Sequence, residues 1–162
     1  MTHQDTLQDG RCDFDFFMGT WHMKHYRLRE RLKGCTDGEE FEGSCTARPL
    51  PGVLGNIDES IMHRESGVLH GITLRLFNPA TQQWSLNWAA STTNKLDVPM
   101  IGSFKDGVGA FYSQELWEGR AIFNRFVWSR ISPTYCHWEQ AFSPDGGKTW
   151  ESNWIMEHFR QD

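Results

Sequence analysis

The chain has 162 residues and a formal charge of −5, with eight Trp and eleven Phe. That length suits one domain around one core, and aromatic burial can build the core even at a mean hydropathy of −0.58. The acidic balance gives no electrostatic reason to seek phosphate backbones, and no run approaches the ~18 uninterrupted apolar residues of a membrane span, so nucleic acid and membrane are not expected partners.

Met1 to Gly10 is polar and acidic, without the apolar centre of a signal peptide, so a cytoplasmic location is expected. Residues 1–12 read as a flexible N-terminal segment and 13–162 as a single β-barrel domain. Phe14 to Met18 suits a turn of helix plugging one end. Period-two alternation, rich in β-branched and aromatic residues, predicts ten strands, near 20–30, 39–48, 55–63, 68–77, 83–91, 100–106, 109–118, 120–130, 134–143 and 149–159.

The basic run Lys24 to Lys33 is broken by Tyr26, Leu28, Glu30 and Leu32, and reads as a solvated strand edge or loop rather than an anion site. Glu65-Ser66-Gly67, Asn78-Pro79-Ala80-Thr81, Asp106-Gly107, Glu118-Gly119 and Ser132-Pro133 suit hairpin turns. Neighbours in sequence are therefore expected to be neighbours in the sheet, and closing that sheet removes its exposed edges. The fold class predicted is an all-β, closed antiparallel up-and-down barrel of about ten strands. Cys12, Cys35, Cys45 and Cys136 lack CxxC spacing and a secretory signal, so free thiols are expected and no metal site.

The last three strands allow a residue-by-residue register. Turn centres near Ser132 and between Ser143 and Thr149 set Trp128 opposite Cys136, Phe126 opposite Trp138 and Asn124 opposite Gln140. They also set Phe142 against Trp150, Gln140 against Ser152, Trp138 against Trp154 and Cys136 against Met156. One face is then aromatic with a single polar level of Asn124, Gln140 and Ser152. This is either the lining of a ligand pocket or a packed core whose polar groups satisfy one another. The other face carries Arg125 opposite Glu139, beside Asn153.

Gly19-Thr20-Trp21 opens the first strand and Arg160 closes the last. This resembles the calycin superfamily of lipocalins and fatty-acid-binding proteins, in which a basic residue of the last strand covers a Gly-x-Trp indole. The chain as a whole is similar to an uncharacterised bacterial family of lipocalin-like barrels. The carrying segments are Phe14 to Trp21, Gly55 to Glu59, Trp138 to Ser143 and Asn153 to Met156. The resemblance implies the fold and no activity.

Ser143-Pro144-Asp145-Gly146-Gly147-Lys148-Thr149-Trp150 matches the Asp-box turn of sialidase propellers, but one copy in a chain of this length reads as a rigid turn. Because the superfamily includes haem carriers, the resemblance raises a haem-binding alternative with His158 as axial ligand. No H-x-H, H-x-x-x-H or H-E-x-x-H spacing supports a metal, and His22 and His25 fall on opposite strand faces.

Three functions follow as expectations. The leading one is a barrel holding a small apolar or aromatic molecule against Trp88, Trp128, Trp138 and Trp154, oriented by Asn124, Gln140 and Ser152. The second is a cofactor-free isomerase, decarboxylase or hydrolase in which Glu139 is acid or base, Arg125 holds an anionic group and Asn153 positions it. The third is a homodimer formed through an outer face bearing Phe77, Trp117 or Phe123. The sequence identifies no cofactor.

Overall fold

The structure is a computed structural model that describes residues 9–161. Ten strands form it: β1 (Gly19–Leu28), β2 (Gly38–Pro49), β3 (Gly55–Arg64), β4 (Gly67–Asn78), β5 (Gln83–Ala90), β6 (Met100–Lys105), β7 (Val108–Trp117), β8 (Arg120–Ser129), β9 (Tyr135–Ser143) and β10 (Glu151–Arg160). Each pairs antiparallel with its neighbours in sequence, and β1 pairs with β10, from Trp21 opposite Arg160 to Arg27 opposite Trp154. The result is the closed up-and-down barrel that the alternation predicts. The β5–β6 ladder is the shortest, only Trp84–Gly102 to Leu86–Met100.

Period two decides which side chains face inward. Trp21, Met23 and His25 of β1 are buried, as are Phe41, Cys45 and Ala47 of β2 and Phe111 of β7. The same parity turns Phe77 and Trp117 inward: Phe77 is buried against Trp84, and Trp117 faces Phe142 inside the barrel. Of the three residues expected on an outer dimer face, only Phe123 lies on the outer side of its strand, so that expectation is corrected for Phe77 and Trp117.

One end is sealed. Two single-turn 3-10 helices, Gly10–Cys12 and Asp15–Phe17, drop Phe14 and Phe17 into the barrel, where Phe14 meets Trp84, Phe104 and Trp128 at 4.9–5.7 Å between ring centres. Residues 1–8 of the segment expected to be flexible lie outside the described residues. Residues 9–12 are held by Gly10 N donating to Gln82 Oε1 (3.0 Å) and Trp84 Nε1 donating to Gly10 O (3.1 Å).

Trp21 is fully buried, donates Nε1 to Phe17 O (2.8 Å) and lies under the Arg160 guanidinium at 4.2 Å. Arg160 also donates to Met18 O, Phe16 O and Pro133 O at 2.5–2.7 Å, tying the plug to the last strand. Beneath the plug, buried Arg75 pairs with Asp58 (2.5 Å), donates to Asn56 Oδ1 (3.0 Å), and packs against the rings of Phe14, Phe17 and Trp128.

The Ser143–Trp150 segment forms the rigid turn expected of it. Asp145 Oδ1 accepts from Thr149 N (2.9 Å), Ser143 Oγ accepts from Gly147 N (2.8 Å), and Gly146 and Gly147 supply φ of 73° and 90°. Hydrogen bonds from Thr149 hold the Asp145 carboxyl at about 2. All four cysteines are free thiols. No helix among the described residues is long and apolar enough to cross a membrane, which says nothing of a barrel.

Candidate ligand cavity

Between the plug and the opposite end the barrel encloses a cavity of about 190 Å³. Aromatic side chains from β5, β8, β9 and β10 line it: Trp88, Phe126, Trp128, Trp138 and Trp154, with Met156 and His158 beside them. Trp88 lies across Gly71 of β4, where any Cβ would collide with the indole. Trp138 and Trp154 meet edge to face at 5.7 Å.

The polar level of the lining is built from Asn124 and Gln140, with buried Asn153 behind Gln140. Gln140 Nε2 donates to Asn153 Oδ1 (2.8 Å), while Asn124 Oδ1, Asn153 Nδ2, Trp128 Nε1 and His158 Nδ1 are shielded from solvent without a protein partner. Buried polar atoms are normally paired, so unpartnered ones in the wall of an aromatic cavity are exceptions to that rule. His158 is wholly buried and stacks on Trp128 at 5.5 Å. Burial, with His25 and Arg75 near by, lowers its imidazole to about 3, so it is neutral. His25 accepts from Trp154 Nε1 (3.1 Å) at Nδ1, and burial and Arg27 lower it to about 3 as well.

The register differs from that expected in two ways. The β8–β9 turn is centred one residue later, so every pair moves by two: Trp128 faces Trp138, Phe126 faces Gln140, Asn124 faces Phe142. An even shift leaves the faces intact, which keeps Asn124, Trp128, Trp138 and Gln140 inside. Between β9 and β10 a bulge intervenes. Ser152 faces Ala141, whereas Trp154 faces Gln140, and Asn153 is the extra residue.

The bulge exchanges the two faces on one side of it only. Trp154 and Met156 stay inside as expected, but Ser152 and Trp150 turn out. Ser152 is exposed and donates its hydroxyl to Glu139, and Trp150 lies outside under the Arg125 guanidinium at 4.2 Å. Ser152 is therefore not part of the lining.

The same shifts separate the residues considered for catalysis. Arg125 faces Ala141 and Glu139 faces Val127, both on the outer side of the sheet, while Asn153 is buried inside. Glu139 is engaged by Ser152 and lies 3.8 Å from His137. Glu139, Arg125 and Asn153 thus share no site, and the expected arrangement is corrected.

A haem fits poorly. His158 lines the cavity, but its ring is stacked on Trp128 and edge-on to Phe17, and 190 Å³ is far too small for a porphyrin. No group of three or more His, Cys, Asp or Glu among the described residues is arranged to hold a metal.

The far end of the cavity is its mouth, where the basic run departs from the solvated reading. Arg27 continues the inward series Trp21, Met23, His25, and its guanidinium stacks on Trp154 at 4.3 Å. Arg31, in the β1–β2 loop, reaches across to Trp117 of β7 at 5.1 Å. The loop is pinned there by Leu32 N donating to Glu151 Oε1 (2.7 Å) and by Lys33 with Glu118 (3.8 Å). Asp97, Val98 and Glu115 complete this rim. Sequence reasoning missed Arg27, Arg31 and the Arg75–Asp58 pair. Arg27 and Arg75 were signalled by lying in step with inward-facing neighbours.

No family model matches the chain, and no curated protein matches it in sequence. Among solved structures, the S-type phycobiliprotein lyase CPES from Guillardia theta is similar, with a TM-score of 0.63 at 10% identity, covering 96% of this chain and 94% of that one. The structure of EF1p2_mFAP2b bound to DFHBI is also similar, with a TM-score of 0.51 at 12% identity, covering 94% of this chain and 99% of that one. At such identities the likeness establishes the fold, a lipocalin-like barrel.

Proposed function

We propose that this barrel binds a small apolar or aromatic molecule in its interior, against Trp88, Trp128, Trp138 and Trp154. The observation that carries this reading is an aromatic cavity whose wall includes the polar side chains of Asn124 and Gln140, with Asn124 Oδ1 and Trp128 Nε1 lacking a protein partner. A few placed polar groups in an apolar wall are the usual make-up of a ligand pocket. At about 190 Å³ the cavity exceeds the ~150 Å³ that admits benzene and falls short of the ~300 Å³ at which drug-sized pockets begin. One or two fused rings match that size.

That one structure of similar fold is bound to DFHBI, and another is a phycobiliprotein lyase, supports an interior used for binding. Titration with a panel of one- and two-ring aromatics, followed by intrinsic Trp emission, is expected to show saturable quenching that Asn124→Leu weakens. Unchanged emission across the panel, with side chains filling the interior in a crystal structure, would overturn the reading.

A further inference from the structure

We propose that the mouth of the cavity recognises a carboxylate through Arg27 and Arg31, so that the ligand is a small aromatic acid. This deepens the binding reading above and rests on it.

Both guanidiniums lie over indole rings, Arg27 over Trp154 at 4.3 Å and Arg31 over Trp117 at 5.1 Å. A cation–π contact is electrostatic and occupies no acceptor, so the N–H donors of each guanidinium remain to be matched by a planar, bidentate acceptor. Neither arginine is within 4 Å of a carboxylate among the described residues, and the Nε of each is shielded from solvent with no protein acceptor. Both line the cavity that the aromatic rings enclose. An acid whose ring sits among Trp88, Trp138 and Trp154 therefore presents its charge at this rim.

The local balance of charge favours the same sign. Burial first, then Arg31 and Arg64 at the end of β3, lower the Arg27 guanidinium to about 10, which leaves it charged at neutral pH. Glu39 and Glu151 act on Arg27 and Arg31 at longer range. Elsewhere on the rim Glu115 already accepts the Ser113 hydroxyl (2.7 Å), and burial raises the Asp97 carboxyl above its ordinary value.

Calorimetric titration of the full chain with indoleacetate, indoleacetamide and tryptamine at one ionic strength tests this. The three share a ring and differ in the charge of the tail. Indoleacetate is expected to bind at least about ten-fold more tightly than the amide, the scale of a hydrogen bond to a charged group. Arg27→Gln and Arg31→Gln should each bring the acid-to-amide affinity ratio close to one, and continued saturable binding of the amide shows that the variant cavity is intact; a ratio unchanged in both variants overturns the assignment to these arginines. Equal affinity for acid and amide, or tightest binding of tryptamine, overturns the carboxylate assignment and leaves the binding reading standing. No binding by any of the three overturns both.

Discussion

The two ends of this barrel spend their charged residues differently. At the sealed end Arg75 and Arg160 have every kind of partner: a carboxylate, an amide oxygen and aromatic rings for one, three carbonyls and an indole for the other. At the mouth Arg27 and Arg31 have only aromatic rings as partners among the described residues. A buried charge paired with a buried carboxylate locks a structure, because removing one partner strands the other. Charge held only by stacking costs little to remove and remains available to a ligand. The difference separates an end that closes the fold from an end that can exchange its contents.

The largest expected effect breaks the sealed end. Arg75→Ala leaves the Asp58 carboxylate buried and unpaired, and should lower unfolding free energy by about 3–5 kcal/mol in urea titration. A double Arg75→Met, Asp58→Leu variant should recover most of that loss, since no charge is left stranded.

Acid tests the two ends together through their histidines. His25 and His158 sit near 3 in the fold against 6.5 unfolded, so the unfolded chain takes up protons that the fold refuses. Stability is then complete above pH 6.5 and falls as pH drops towards 3, by about 2 kcal/mol per imidazole at pH 5. Comparing urea midpoints at pH 7 and pH 5 for His25→Gln and His158→Gln should show each variant losing about half of this pH dependence. A slope left unchanged by both would mean that other groups govern acid unfolding.

Smaller is the effect of Arg160→Ala, which releases the plug from the last strand. Three hydrogen bonds and a stacked indole, partly exposed, predict a loss of about 1–2 kcal/mol. Faster hydrogen exchange at Trp21 and Phe17 than at the mouth would place that loss at the sealed end. Smallest of all, Arg27→Gln should shift stability by no more than about 0.5 kcal/mol, with no ion pair broken. A loss as large as that of Arg75→Ala would erase the contrast between the two ends.

Much of this was legible along the chain. The ten strands, the Asp-box turn, the helical plug and the Arg160 cover over Trp21 follow from local alternation, turn chemistry and one motif. Asn124, Trp128, Trp138, Gln140 and Trp154 fall inside because their parity survived a register error of two. Ser152 did not, because a single bulged residue cannot be seen in alternation that is equally consistent with either face. Arg27 and Arg75 were hidden by the habit of assigning charge to solvent, although both stand in step with buried neighbours.

By itself the sequence determined the number of strands and their neighbours, since these depend on a period of two and on turns between residues adjacent in the chain. Only the closed barrel decided that Phe77 and Trp117 turn inward, that Arg75 meets Asp58, and that Arg31 crosses the mouth to Trp117. Those contacts join residues distant in sequence, and they depend on where curvature, bulge and loop bring the strands, which no local pattern encodes.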